Sequence, residues 1–166
     1  RRSVLSTDHP SILETLNGFA LGMMYQGRYA EAEDLFMESY EKRKKTLGPE
    51  HQTTLLVAYN LARNYMHRGR YTESRKMYED CLSRQQITLG GEHASTLRTI
   101  AGLAFLISKQ GDHQTASRLL EDTLETHKRV LAKEHPATLS VIHNLAIVYS
   151  AMDEQHYGGR AEKLFR

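Results

Sequence analysis

One cysteine, three prolines and no tryptophan stand in a sequence of 166 residues. Cys81 has no second cysteine to pair with and cannot by itself build a multi-cysteine metal site, so nothing here demands an oxidising compartment. A reducing, cytoplasmic setting is the expectation. Long hydrophobic runs are missing too: a stretch such as Ala101 to Ile107 falls far short of the roughly 20 apolar residues of a membrane span. Neither charge sign dominates. The 22 basic and 20 acidic residues leave a net charge of +2, too balanced to make nucleic acid or an anionic membrane the expected partner. The chain opens Arg1-Arg2-Ser3, without an initiator Met or an apolar leader. It reads as a piece of something longer.

Self-similarity is what the sequence has in abundance. His9, His51, His93 and His135 recur every 42 residues, inside DHPSIL, EHQTTL, EHASTL and EHPATL. Leu13, Leu55, Leu97 and Leu139 keep the same step, as do Leu5, Leu47, Leu89 and Leu131, the small residues Ala20, Ala62, Ala104 and Ala146, and the glycines Gly27, Gly69 and Gly111. A fixed period of this length is the signature of a repeat architecture.

Two helical patterns fill each unit, separated by the glycine. Leu13, Leu16, Phe19, Ala20 and Met23 fall at helical spacing, as do Leu97, Ile100, Leu103, Ala104 and Ile107. After the glycine a second stripe follows, Ala32, Leu35, Phe36 and Tyr40 in the first unit and Ala116, Leu119, Leu120 and Leu124 in the third. Pro10, Pro49 and Pro136 lie at the junctions, where a missing N–H does no harm. Neither helix of such a pair buries its stripe alone, so stability must come from stacking pair on pair. The expected fold is all-α, a right-handed superhelical solenoid of antiparallel helix pairs forming one domain over 1–166. Its units are 9–50, 51–92, 93–134 and a truncated 135–166, with 1–8 as the tail of a preceding unit. In the fourth unit Ala161, Leu164 and Phe165 align with Ala32, Leu35 and Phe36 only if three extra residues lie in the turn region 153–160. Both ends are expected to present apolar surface.

A small, an aromatic and a small residue alternate along the second helix (Ala32, Phe36, Ser39; Ser74, Tyr78, Cys81), after Leu61-Ala62-x-x-Tyr65 on the first. This pattern resembles the tetratricopeptide repeat. The 42-residue period, the E-H-x-x-T-L junction and the stretches YNLARNY (59–65) and HNLAIVY (143–149) resemble the kinesin light chain class, whose repeats also occur in NTPase-linked signalling proteins of the NLR type. On this reading Ala20, Ala62, Ala104 and Ala146, with Ala32, Ser74, Ala116 and Ala161, let the paired helices approach closely. Phe36, Tyr78, Leu120 and Phe165 fill the space between pairs.

The periodic histidines invite a metal reading, which geometry opposes. Nitrogens on one zinc ion lie within about 4 Å of one another, whereas equivalent positions in stacked pairs stand about 8–10 Å apart. No metal or cofactor is expected; His9 and His135, just before Pro10 and Pro136, should cap the first helix or pack the junction. Cys81 occupies the place of Ser39 and Thr123, a packing position for an inert thiol. No glycine-rich phosphate loop, nucleophile elbow, H-E-x-x-H or EF-hand motif is present. Glu31, Glu33, Asp34, Glu38 and Glu41 read as a solvated face, and Lys42 to Lys45 as cations complementing a helix C-terminus. A non-catalytic protein is expected.

The resemblance also implies a concave groove lined by the first helices. Its positions map to Glu14, Asn17, Leu21, Met24 and Tyr25 in unit one and to Leu56, Tyr59, Asn60, Arg63, Met66 and His67 in unit two. Unit three supplies Arg98, Ala101, Phe105, Ser108 and Lys109, and unit four Ser140, His143, Asn144, Ile147 and Ser150. An apolar and aromatic floor with Arg63, Arg98 and Lys109 midway suits an extended peptide carrying apolar anchors and acidic residues. Asn60 and Asn144 are placed to bond peptide backbone. The subclass that grips chaperone C-termini needs a basic and Asn set at five places that here hold Asn17, Leu21, Asn60, Arg98 and Gly102, a loose match at two of them. An adaptor segment binding a partner's peptide is the expected function. The alternative is an architectural or regulatory arm that packs on other domains or self-associates through its ends.

Overall fold

Each first helix after the opening one begins where a histidine turns its ring back onto the backbone. In the computed structural model, which describes residues 10–130 and 135–152, His51, His93 and His135 have extended backbone. Their Nδ1 atoms accept from the N–H of Thr53 (3.2 Å), Ser95 (3.1 Å) and Ala137 (3.2 Å). Their carbonyls take the first intrahelical bonds, from Leu55, Leu97 and Leu139. The recurring histidine is thus a helix cap, replacing the usual Ser or Asp oxygen with a ring nitrogen that satisfies an otherwise orphaned N–H. His9 lies outside the described residues, as do the tail at 1–8, the 153–160 insertion, and Ala161, Leu164 and Phe165.

Seven helices and no strand are found among the described residues: α1 Pro10–Tyr25, α2 Tyr29–Leu47, α3 Gln52–His67, α4 Tyr71–Thr88, α5 Ala94–Lys109, α6 His113–Val130 and α7 Pro136–Ala151. First and second helices are joined at the expected glycines. Gly27 has φ 76° and Gly69 φ 72°, a left-handed conformation that side chains resist and glycine does not. It lets Arg28 N–H reach Met23 O (2.9 Å) and Arg70 N–H reach Tyr65 O (2.9 Å), closing off the helix ends.

The chain divides between Arg84 and Gln85 into two compact units. In the first, α1 packs on α2, α2 on α3, and α1 touches α3. Ala20, Ala32 and Phe36 are wholly buried and share a cluster with Leu55, Val57, Leu61 and Cys81. Small polar residues of the second helices bond carbonyls of the first: Ser39 Oγ to Leu13 O (3.3 Å), Ser74 Oγ to Ala62 O (2.7 Å), Cys81 Sγ to Leu55 O (3.4 Å). These bonds are possible only because the side chains are short enough for the backbones to approach. In the second unit α5 packs on α6, and α7 on both. Ala104, Ala116, Leu120, Val141, Leu145 and Val148 form its core. Thr123, at the register of Ser39 and Cys81, instead bonds Leu119 O of its own helix (2.6 Å).

Two surface expectations change. Arg43, read as one of four solvated cations, is buried with Nε 3.4 Å from Ser39 Oγ, and desolvation lowers its pKa against the opposing charge of Glu14. It shares its register with Gln85 and His127, both buried, so this place on the second helix is interior in three consecutive units. Glu33, read as solvated, receives Arg68 and Arg70 (2.6 Å to Nη1) and ties α2 to the turn after α3. Arg70 also bonds Glu73 (2.9 Å) and lies 4.6 Å from the centre of the Tyr65 ring.

Candidate functional site

The residues mapped to the groove separate by burial, because a helix in this packing has only a narrow outward strip between its two buried flanks. In the first unit Tyr25 is 74% exposed and His67 exposed, with Asn17, Leu21, Leu56, Tyr59 and Arg63 half-buried. Met24, Asn60 and Met66 are buried. Asn60 Nδ2 donates to Asn17 Oδ1 at 3.2 Å. In place of a backbone-reading side chain turned to solvent, Asn60 is a link between α1 and α3.

A platform is built around Tyr59. Its ring meets the edge of Tyr78 from α4 at 5.8 Å and 64°, a favoured aromatic geometry. The Arg63 guanidinium, one turn on along α3, lies 5.9 Å from the Tyr59 ring centre, within cation–π range. Tyr78 carries the one hydroxyl at a register where Phe36 and Leu120 are apolar. That hydroxyl is buried without a hydrogen-bond partner among the described residues, and burial pushes the phenol pKa well up. The sequence pattern placed Tyr78 only as a space-filler; an aromatic at this register with an aromatic at the outward position of the preceding helix was the available signal for its second role. Nearby, the rings of His67 and Tyr29 stack at 5.1 Å, 4° from parallel.

The second unit carries a plainer version. Lys109 Nζ lies 5.2 Å from the Phe105 ring centre, repeating the ring-and-cation pair one helix turn apart. Arg98, Phe105, Asn144 and Ile147 are half-buried, Ser140, His143 and Ser150 exposed, and Ala101 and Ser108 buried. Ser108 Oγ lies 2.9 Å from His113 Nδ1, a bond across the Gly111 turn. No cluster of His, Cys, Asp or Glu that could hold a metal ion exists among the described residues, and none of their helices is long and apolar enough to cross a membrane. The outward faces offer rings, cations and amides.

The tetratricopeptide repeat profile matches residues 11–65, 53–125 and 99–156. The chain belongs to the tetratricopeptide repeat family. Among solved structures, a single-residue variant of a candidate kinesin light chain from Podosopora anserina, built of nearly identical TPR-like repeats, superposes with a TM-score of 0.71 at 32% identity. The match covers 99% of this chain and 76% of that one. The unmutated form of that protein gives 0.69 at 31%, over 98% and 75% of the two chains. BtubC (BKLC) from P. vanneervenii gives 0.77 at 18% identity, over 97% and 66%, a likeness of fold. A search of curated proteins returns no match. Both the family and the kinesin light chain-like class expected from the 42-residue period are thus found. Tetratricopeptide repeats serve generally in protein–protein interaction, and the class is typically non-catalytic.

Proposed function

We propose that the chain is a peptide-binding adaptor segment acting through the outward strips of its first helices. The observation that carries this is the Tyr59 platform: an aromatic ring fixed from below by Tyr78 and bordered by the Arg63 cation, beside the half-buried Leu21 and Leu56. A fixed ring next to a cation suits a partner segment with an apolar or aromatic anchor adjoining an acidic residue. Phe105 with Lys109, and Arg98, Asn144, His143 and Ile147, extend the same chemistry to the second unit. Asn17, Tyr25 and His67 border the first. A reducing, cytoplasmic setting is part of this reading.

Selection of a random displayed peptide library on the purified chain tests it. Selected peptides should carry Asp or Glu within a few residues of an apolar anchor, and Arg63→Glu combined with Arg98→Glu should weaken them at least tenfold, about 1.4 kcal/mol. Undiminished affinity in that double variant would remove the assignment. A second reading, an architectural or regulatory arm that packs on other domains or self-associates, draws on a different observation: Phe19 stands 62% exposed on α1.

A further inference from the structure

Three departures from the repeat fall together in the second hairpin. Tyr59 stands where the neighbouring first helices have Asn17 and Ala101, Arg63 where they have Leu21 and Phe105, and Tyr78 where the second helices have Phe36 and Leu120. Phe36 and Leu120 are as deeply buried as Tyr78, each 0% exposed, so packing at this register is complete without an oxygen. Tyr78 nevertheless carries one, buried and with no hydrogen-bond partner among the described residues. A hydroxyl held in that state costs stability, and a local breach of good packing is what a functional position leaves behind. Burial raises the phenol pKa well above its ordinary value, so the oxygen keeps its proton and is a donor; the groups whose charge bears on it are Tyr59, Arg63 and Cys81. Arg63 is half-buried and enters no ion pair among the described residues.

We propose that Tyr78 Oη and the Arg63 guanidinium jointly receive one side-chain carboxylate of the bound peptide. The inference rests on the peptide-binding reading above and names the pair of groups through which that site recognises an acidic residue. Both protein groups donate, and a carboxylate is the peptide group that only accepts, with two oxygens to share between them. A backbone carbonyl would answer the hydroxyl and leave the charge of Arg63 unmatched. Tyr78 is wholly buried and Tyr59 half-buried, so the carboxylate reaches the hydroxyl only as the Tyr59 ring swings outward. The free chain thus holds its second donor covered, and a peptide that carries an acid at the right place gains a hydrogen bond that a neutral one does not.

The experiment selects peptides on the purified chain from a displayed library with one fixed Glu, remakes them with Gln at that place, and titrates both forms calorimetrically into the chain and into Tyr78→Phe. The Glu peptide should bind Tyr78→Phe about tenfold more weakly than the unmodified chain, and the Gln peptide should bind the two equally. Such coupling between peptide carboxylate and protein hydroxyl is a readout that a purely structural role of Tyr78 does not move. Tyr78→Phe should fold and melt no lower than the unmodified chain, because Phe36 fills the same register. Equal loss for the Glu and Gln peptides, or no loss for either, would overturn the proposal. So would a lowered melting temperature in Tyr78→Phe, which would give the hydroxyl a partner in the free chain. Arg63→Glu separates this inference from the reading beneath it: if that variant weakens the Glu peptide while Tyr78→Phe does not, the strip binds peptides and the hydroxyl takes no part. If neither variant affects any selected peptide, the strip itself is misplaced and the inference falls with it.

Discussion

Asn60 reaches from α3 to α1 and donates its side-chain amide to Asn17 Oδ1 at 3.2 Å, with Asn60 itself only 4% exposed. The bond joins two first helices directly, where most contacts between successive pairs run through a second helix. Replacing Asn17 with Ala leaves a buried donor without its acceptor. We expect the unfolding midpoint in urea to fall by the equivalent of about 1–2 kcal/mol; no change would mean that the two amides do not meet in solution.

The histidine caps give a second expectation. His93→Ala removes the acceptor for Ser95 N–H at the start of α5, and cap removal costs about 0.5–2 kcal/mol. His93→Asn or His93→Asp should recover most of the loss, because each restores an oxygen acceptor to an extended residue. Thermal unfolding of the three variants decides it. Equal loss in all three would point to packing of the ring as its role.

His127 adds a pH dependence. It is wholly buried, and desolvation, then the nearby His135, lower its pKa below the ordinary 6.5 against an opposing backbone hydrogen bond with Ala137. A lowered value in the folded state means that the unfolded chain binds the extra proton first. The stability it carries is therefore intact above pH 6.5 and declines as pH falls from there toward the lowered folded value. His127→Gln, which copies Gln85 at the same register, should flatten the melting temperature between pH 7 and the acid side relative to the unmodified chain. Parallel pH profiles would show that another group is responsible.

Cys81 is buried with its thiol 3.4 Å from Leu55 O. A thiol reagent should leave it unmodified in the native chain and modify it fully on unfolding. Cys81→Ser, which reproduces the Ser39-to-Leu13 arrangement of the first hairpin, should cost less than about 1.5 kcal/mol. Cys81→Leu should cost about 1–3 kcal/mol by overpacking between α3 and α4.

Most of the fold was legible because each structural requirement leaves a residue type at a fixed phase of the 42-residue period. Gly27 and Gly69 mark turns that need a positive φ, Ala20 and Ala32 mark close approach, and Phe36 marks the space between pairs. The outward strip was legible only as a set of positions. Nothing in the spacing distinguishes Asn60, turned toward Asn17, from a solvent-facing amide, and nothing in a run of four basic residues singles out Arg43 for burial. Those outcomes depend on which side chain the neighbouring helix offers.

The sequence by itself determined the repeat, the alternation of first and second helices, the turn glycines and the small-residue seams, because these follow from local conformation and from periodicity along one chain. Only the tertiary structure decided that the recurring histidine caps through Nδ1, that Tyr78 props Tyr59 beneath Arg63, and that Asn60 turns toward Asn17. Each of these is a relation between side chains distant in sequence. Its sign is set by the volume and the hydrogen-bond partners that packing brings within reach, and no single helix carries that information.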